Sequence, residues 1–187
     1  MVSRFLLLLL FSTAAQAAEL DGVTLEDRVR VDGQEIQLNG IALRTRYQFF
    51  KVYVAGLYLP QKTSSGQTAI DAQGAKRMVL VMLRDVSGEQ FAESFDIALQ
   101  ANNSEAQLAE VKEQKDDLFA RIRAIGEAKK GATIVLDYAP SSGTTLAIDG
   151  DVKGKPMPGE PFYRAILRSW VGENPAQEDM KKGLLGG

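Results

Sequence analysis

Two guanidinium groups, Arg44 and Arg46, stand within LNGIALRTRYQFFKVYVAGLYLP, residues 38–60, a run otherwise rich in β-branched and aromatic residues and free of acids. A cation buried among apolar side chains needs a counter-charge, because leaving it unpaired costs several kcal/mol. With no acid in the stretch, the partner is water, a carboxylate far away in sequence, or an anionic ligand. Arginine is shaped for a two-point grip on a carboxylate, which makes the ligand a natural candidate. The chain contains neither Cys nor His. That removes disulfides, thiolate nucleophiles, imidazole acid–base chemistry and the commonest zinc and haem ligands. No metal and no cofactor is expected, and any chemistry rests on carboxylates, Lys, Arg, Tyr, Ser or Thr.

The other charged groupings read as surface. Glu110, Glu113, Asp116 and Asp117 alternate with Lys112 and Lys115 along a helical segment, the pattern of a solvated face. Gly150-Asp151-Val152-Lys153-Gly154 lacks the spacing of a phosphate loop and sits in a hairpin, so it gives no nucleotide site. A formal charge of −2 without a basic stripe argues against nucleic acid as a partner. Asp137 reads as a strand-end polar residue and Trp170 as core.

The chain opens MVSRFLLLLLFSTAAQAAEL: one basic residue, an apolar run, then small residues ending Ala15-Gln16-Ala17, the pattern of a secretory signal. The apolar run is too short to span a bilayer. Cleavage near Ala17 is expected to release a periplasmic or secreted monomer with no membrane span. Residues 1–17 are thus read as signal peptide and 18–187 as one domain.

The elements that must position the arginines follow from pattern. Asp32-Gly33 and Asp149-Gly150 are two-residue hairpin signals. Tyr47 to Leu59 reads as a central strand stopped by Pro60, residues 61–75 as a polar connection, and KRMVLVMLRD as a buried strand. Ser87 with Gln90 makes a capping box for a helix carrying Phe91, Phe95, Ala98 and Leu99. A second helix, capped by Ser104, carries Leu108 to Ile125 on one stripe. Strands return in ATIVLDYAP and GTTLAIDGDVKGK; EPFYRAILRSWVGE is a helix, and QEDMKKGLLGG a short closing one. The order is α+β, with a large antiparallel sheet covered by helices.

The order of G-I-A-L-R-T (40–45), K-V-Y-V-A-G-L-Y-L (51–59), L-R-D-V-S (83–87), G-A-T-I-V-L-D-Y (131–138), G-T-T-L-A-I-D-G (143–150) and A-I-L-R-S-W-V-G-E (165–173) resembles the bacterial chalcone isomerase-like family over nearly the whole mature chain. The resemblance implies an open-faced β-sandwich with a ligand cleft between sheet and helices. In the plant isomerases an early-strand arginine draws in the phenolate oxygen, and Arg44 matches it; Ser169 matches the hydroxyl residue of the late helix. The isomerases' tyrosine and asparagine fall at Phe91 and Ala98, which supply no polar group, so the hydrogen bonds that would stabilise an oxyanion are largely missing. The strand threonine falls near Tyr53. Fatty-acid-binding members are thought to use an arginine and a tyrosine, which Arg44 and Tyr53 resemble.

Residues 44 and 53 differ by an odd number, so in one uninterrupted strand they would face opposite sides. A bulge near Gln48 would bring them to one face. Otherwise Tyr47 or another element completes the site, and Arg46 becomes a competing anchor. The reading is a non-catalytic binder of a small amphipathic anion such as a fatty acid, held by Arg44, Tyr53 and Ser169 among Tyr47, Phe91 and Ala98. Its alternative is an intramolecular lyase or isomerase that cyclises a chalcone-like phenolic enone with Arg44 as electrostatic catalyst.

Overall fold

The computed structural model describes residues 17–47 and 49–187. The expected signal segment, apart from Ala17, and the expected bulge position Gln48 lie outside the described residues.

Seven strands form one antiparallel sheet in the order β11-β10-β9-β6-β5-β4-β3. They are β3 (Arg28–Val31), β4 (Gln34–Arg46), β5 (Phe50–Leu59), β6 (Lys76–Met82), β9 (Thr133–Ala139), β10 (Gly143–Ile148) and β11 (Asp151–Val152). The hairpin of β1 (Ala17–Leu20) and β2 (Val23–Glu26) forms a two-stranded sheet of its own, and β7 (Val86–Ser87) pairs with β8 (Glu127–Ala128). Six helices among the described residues complete the α+β fold: α1 (Gly66–Asp71), α2 (Gly88–Asn102), α3 (Glu105–Glu110), α4 (Lys112–Ala124), α5 (Glu160–Val171) and α6 (Glu178–Leu184). The sheet curls as a half-barrel around its helical layer.

The tight hairpins follow from side-chain chemistry. Asp21-Gly22, Asp32-Gly33 and Asp149-Gly150 all have positive φ at both residues, the conformation that two-residue hairpin turns require. Aspartate tolerates it and glycine adopts it without penalty.

The two sheet faces bury different cores. Ala55, Leu57 and Leu59 of β5, Met78, Leu80 and Met82 of β6, and Ile134 and Leu136 of β9 pack against α2, α4 and α5. The opposite face, with Leu38, Tyr58 and Val79, is covered by Leu25 and Val23 from the small hairpin. The alternation is that of a sheet buried on both sides. Lys76, fully buried on β6, reaches Glu160 at the start of α5 at 3.1 Å and so ties sheet to helix.

Four expectations need correction. Residues 61–75 hold a helix: Ser65 caps α1 by accepting from Thr68 N–H at 3.2 Å, and Ala69 and Ile70 are buried. The second long helix is two, α3 and α4, broken at Val111. At α2 Ser87 accepts from Gln90 N–H at 3.2 Å, while the reciprocal capping box among the described residues is at Ser104 and Gln107. The segment 38–60 is no single strand, since Tyr47, at φ 51°, lies in a turn that separates β4 from β5.

Candidate functional site

That turn resolves the parity problem by another route. β4 and β5 run antiparallel, and Arg44 lies directly opposite Tyr53. Residues paired across antiparallel strands project to the same face, with Cβ atoms about 5 Å apart. Ala42, two residues before Arg44, belongs to the helix-side core, which fixes that face. A bulge does exist, but on β5. The next pair is Thr45 with Lys51, which leaves Val52 without a partner. Both Val52 and its neighbour Tyr53 therefore line the same cavity, as the extra residue of a bulge permits. The Val52 carbonyl accepts from Leu83 N–H at 2.9 Å, holding the segment that carries Arg84 and Asp85 beside β5.

The cavity has a volume of about 400 Å³, within the range of small-molecule sites. Its floor is the buried side chains of Tyr53, Phe95, Ala98, Ser169 and Trp170. Its mouth is the exposed Arg46, Tyr47, Phe50, Arg84 and Gln90, with Phe91 half-buried between. Arg44, half-buried, sits in its wall. All six residues singled out in the sequence, Arg44, Tyr47, Tyr53, Phe91, Ala98 and Ser169, thus line one cavity. Arg46 lines it too, so the two guanidinium groups of the 38–60 segment share a pocket.

Arg44 is held by neutral acceptors. Its Nη1 donates to the Ala176 carbonyl at 2.9 Å and to Gln177 Oε1 at 3.3 Å. Gln177 in turn accepts from Thr45 N–H at 2.9 Å and donates to the Leu43 carbonyl at 3.3 Å, so its amide reads the β4 backbone much as a strand would. The preceding loop is anchored to the end of α2, where Asn102 donates to the Asn174 carbonyl at 2.6 Å and accepts from Asn174 N–H at 2.8 Å. Among the described residues, the ion pairs involve other cations; none joins Arg44, Arg46 or Arg84 to a carboxylate. The cavity's one acid, Asp85, is held by Lys129 at 3.1 Å and by Lys130 N–H at 2.8 Å. Those bonds, the backbone one first, keep its carboxyl below the usual range.

Two further polar groups face the cavity. Tyr53 Oη accepts from Trp170 Nε1 at 3.2 Å, which leaves the phenol proton free to donate. Burial pushes the Tyr53 hydroxyl above its ordinary value, against the opposing effects of the indole and of Arg44, so the phenol stays neutral. Ser169 Oγ is buried and has no hydrogen-bond partner among the described residues. An unpaired buried hydroxyl costs free energy that a ligand's polar atom would recover.

Trp170 is therefore more than the packing residue expected, since it orients Tyr53. Asp137 likewise is no idle strand end but pairs with Arg77 through two bonds of 2.6 and 2.7 Å. Sequence reasoning missed Gln90, Ser94, Phe50, Val52, Arg84 and Ala176 as cavity residues. Gln90, Ser94 and Ala98 share one face of α2 at spacings of four, a signal that was available. Ala176 carries no such signal.

A comparison with the curated proteins found no match. Among solved structures, the fatty-acid binding protein of Arabidopsis thaliana is similar, with a TM-score of 0.70 and 15% identity over 91% of this chain and 96% of that one. At that identity the likeness establishes the fold. The family model described as chalcone isomerase-like matches residues 17–186. The chain accordingly belongs to the chalcone isomerase-like family.

Proposed function

We propose that the protein binds a small amphipathic organic acid of the fatty-acid class, with its carboxylate at Arg44 and its apolar part against Val52, Phe91, Phe95 and Trp170. The observation that carries this is a guanidinium in the wall of a cavity of about 400 Å³, bonded only to neutral acceptors among the described residues. A carboxylate gains charge-assisted bonds there that amide oxygens do not match. The Tyr53 hydroxyl supplies a second donor from the directly paired strand. Aromatic and aliphatic groups make up most of the remaining floor, as an acyl chain requires. The solved plant relative is a fatty-acid binding protein, which supports the same ligand class.

The protein acts outside the cytoplasm in this reading, on the strength of its N-terminal sequence. Catalysis is the weaker account. Phe91 and Ala98 face the cavity where a cyclising enzyme of this family would place a hydroxyl and an amide. Native mass spectrometry of the purified chain incubated with dodecanoate tests the binding role. One acid per chain is expected; an unliganded spectrum at saturating acid would overturn it. A phenolic chalcone mixed with the protein is expected to keep its visible absorbance, and its protein-dependent decay would establish the lyase instead.

A further inference from the structure

The turn between β4 and β5 presents aromatic rings to solvent. Tyr47 is 72% exposed, Phe49 83% and Phe50 54%, and together they make up most of the large exposed hydrophobic side chains among the described residues. Large rings left in water together on one turn, rather than scattered singly, are the pattern of a contact surface. Cations flank them. The Arg46 guanidinium lies 5.3 Å from the Tyr47 ring centre and that of Arg84 5.7 Å from the Phe50 ring centre. Neither is joined to a carboxylate among the described residues, although the chain as a whole is weakly acidic.

We propose that this tip docks the protein on an anionic phospholipid surface, with Phe49 inserted at the headgroup–acyl boundary and Arg46 and Arg84 against lipid phosphates. Aromatic rings favour that boundary because they have an apolar body and tolerate partial hydration. Each arginine near an anionic leaflet adds attraction that salt screens. The partner is a bilayer rather than a folded protein because the exposed rings are three side chains of one turn flanked by two arginines, against the roughly 20–30 residues that each side of a stable protein interface uses. Tyr47, Phe50, Arg46 and Arg84 also line the cavity mouth. A docked tip therefore places the pocket opening at the surface where amphipathic acids partition, so cargo passes between bilayer and cavity without crossing bulk water. This last step rests on the acid-binding reading; the docking itself does not.

The test uses the full mature chain, without added acid, floated with phosphatidylcholine vesicles containing or lacking phosphatidylglycerol. Binding is expected only with the anionic lipid and is expected to weaken as salt rises. Phe49 is outside the cavity lining, so Phe49→Asp is expected to lower vesicle partitioning by about tenfold. The same variant keeps its affinity for dodecanoate in free solution, read from Trp170 fluorescence. Phe49→Trp restores vesicle binding. Equal flotation of Phe49→Asp and the parent, no flotation of the parent, or concentration-dependent dimerisation abolished by Phe49→Asp would each overturn the docking proposal. Loss of dodecanoate binding by the parent would instead count against the acid-binding reading and leave the flotation result standing.

Discussion

Tyr53 shows how much of the site depends on single hydrogen bonds. Its oxygen is the acceptor for the buried Trp170 indole N–H at 3.2 Å. Tyr53→Phe removes that acceptor and strands a buried donor, at a cost of roughly 1–3 kcal/mol. Urea unfolding of the variant is therefore expected at a lower midpoint, and the emission of the chain's one tryptophan is expected to shift. An unchanged midpoint would show that the bond contributes nothing. At this scale the sequence was informative about residue type and poor about partners. The lack of acids around Arg44 was visible in 38–60. Its acceptors at Ala176 and Gln177 were not, because contacts across more than a hundred residues leave no local pattern.

At the scale of elements, α6 sits so close to β4 that Gly40 and Gly183 meet. A Cβ on Gly40 would lie 2.1 Å from the Gly183 carbonyl oxygen, a distance no packing adjustment of side chains relieves. Gly40→Ala must push α6 outward, and overpacking of this kind costs roughly 1–3 kcal/mol or more. Because Ala176 and Gln177 precede α6, the shift also moves the acceptors that hold Arg44. Lower thermal stability together with weaker acid binding is expected; a variant with native melting and native affinity would contradict the packing account. The strand, helix and Asp-Gly turn patterns were legible because each is a short-range rule. The turn between β4 and β5 was not. It uses Tyr47 at positive φ, with no Gly, Asn or Pro to mark it, so two strands read as one. That single misreading created the parity problem for Arg44 and Tyr53, which antiparallel pairing removes. The break between α3 and α4 was missed for a related reason: the apolar stripe continues across Val111 while the helical backbone does not.

The whole molecule responds to pH through groups buried on both faces of the sheet. Burial pushes the hydroxyls of Tyr53 and Tyr163 up and that of Tyr58 to about 12. In the unfolded chain they ionise near the ordinary value of about 10. Between that pH and the folded values the native state binds more protons, so stability is fully present below about pH 10 and falls above it. Lys76 acts in the opposite sense, because burial lowers its folded value, and it adds stability as pH rises toward about 10.4, the ordinary lysine value. Above that pH the tyrosine loss continues, and Lys112 and Lys129, held above the ordinary lysine value by their hydrogen bonds to Asp116 and Glu127, add to it in the same direction. Denaturant midpoints are expected to hold to about pH 10 and to drop steeply beyond about 10.5. In a Tyr47→Phe variant, which removes the exposed phenol, tyrosinate absorbance is expected only on unfolding. Tyrosinate appearing in that variant at pH 10 with the fold intact would contradict it.

The central claim is that Arg44 recognises a carboxylate, and calorimetric titration with dodecanoate and with dodecanol separates that from simple greasiness. Charge-assisted bonds of about 1.5–3 kcal/mol correspond to roughly a tenfold to hundredfold preference for the acid. The account predicts that preference in the parent chain and its disappearance in Arg44→Gln, with binding of the alcohol little changed. Equal affinity for acid and alcohol in the parent, or an undiminished preference in Arg44→Gln, would contradict it.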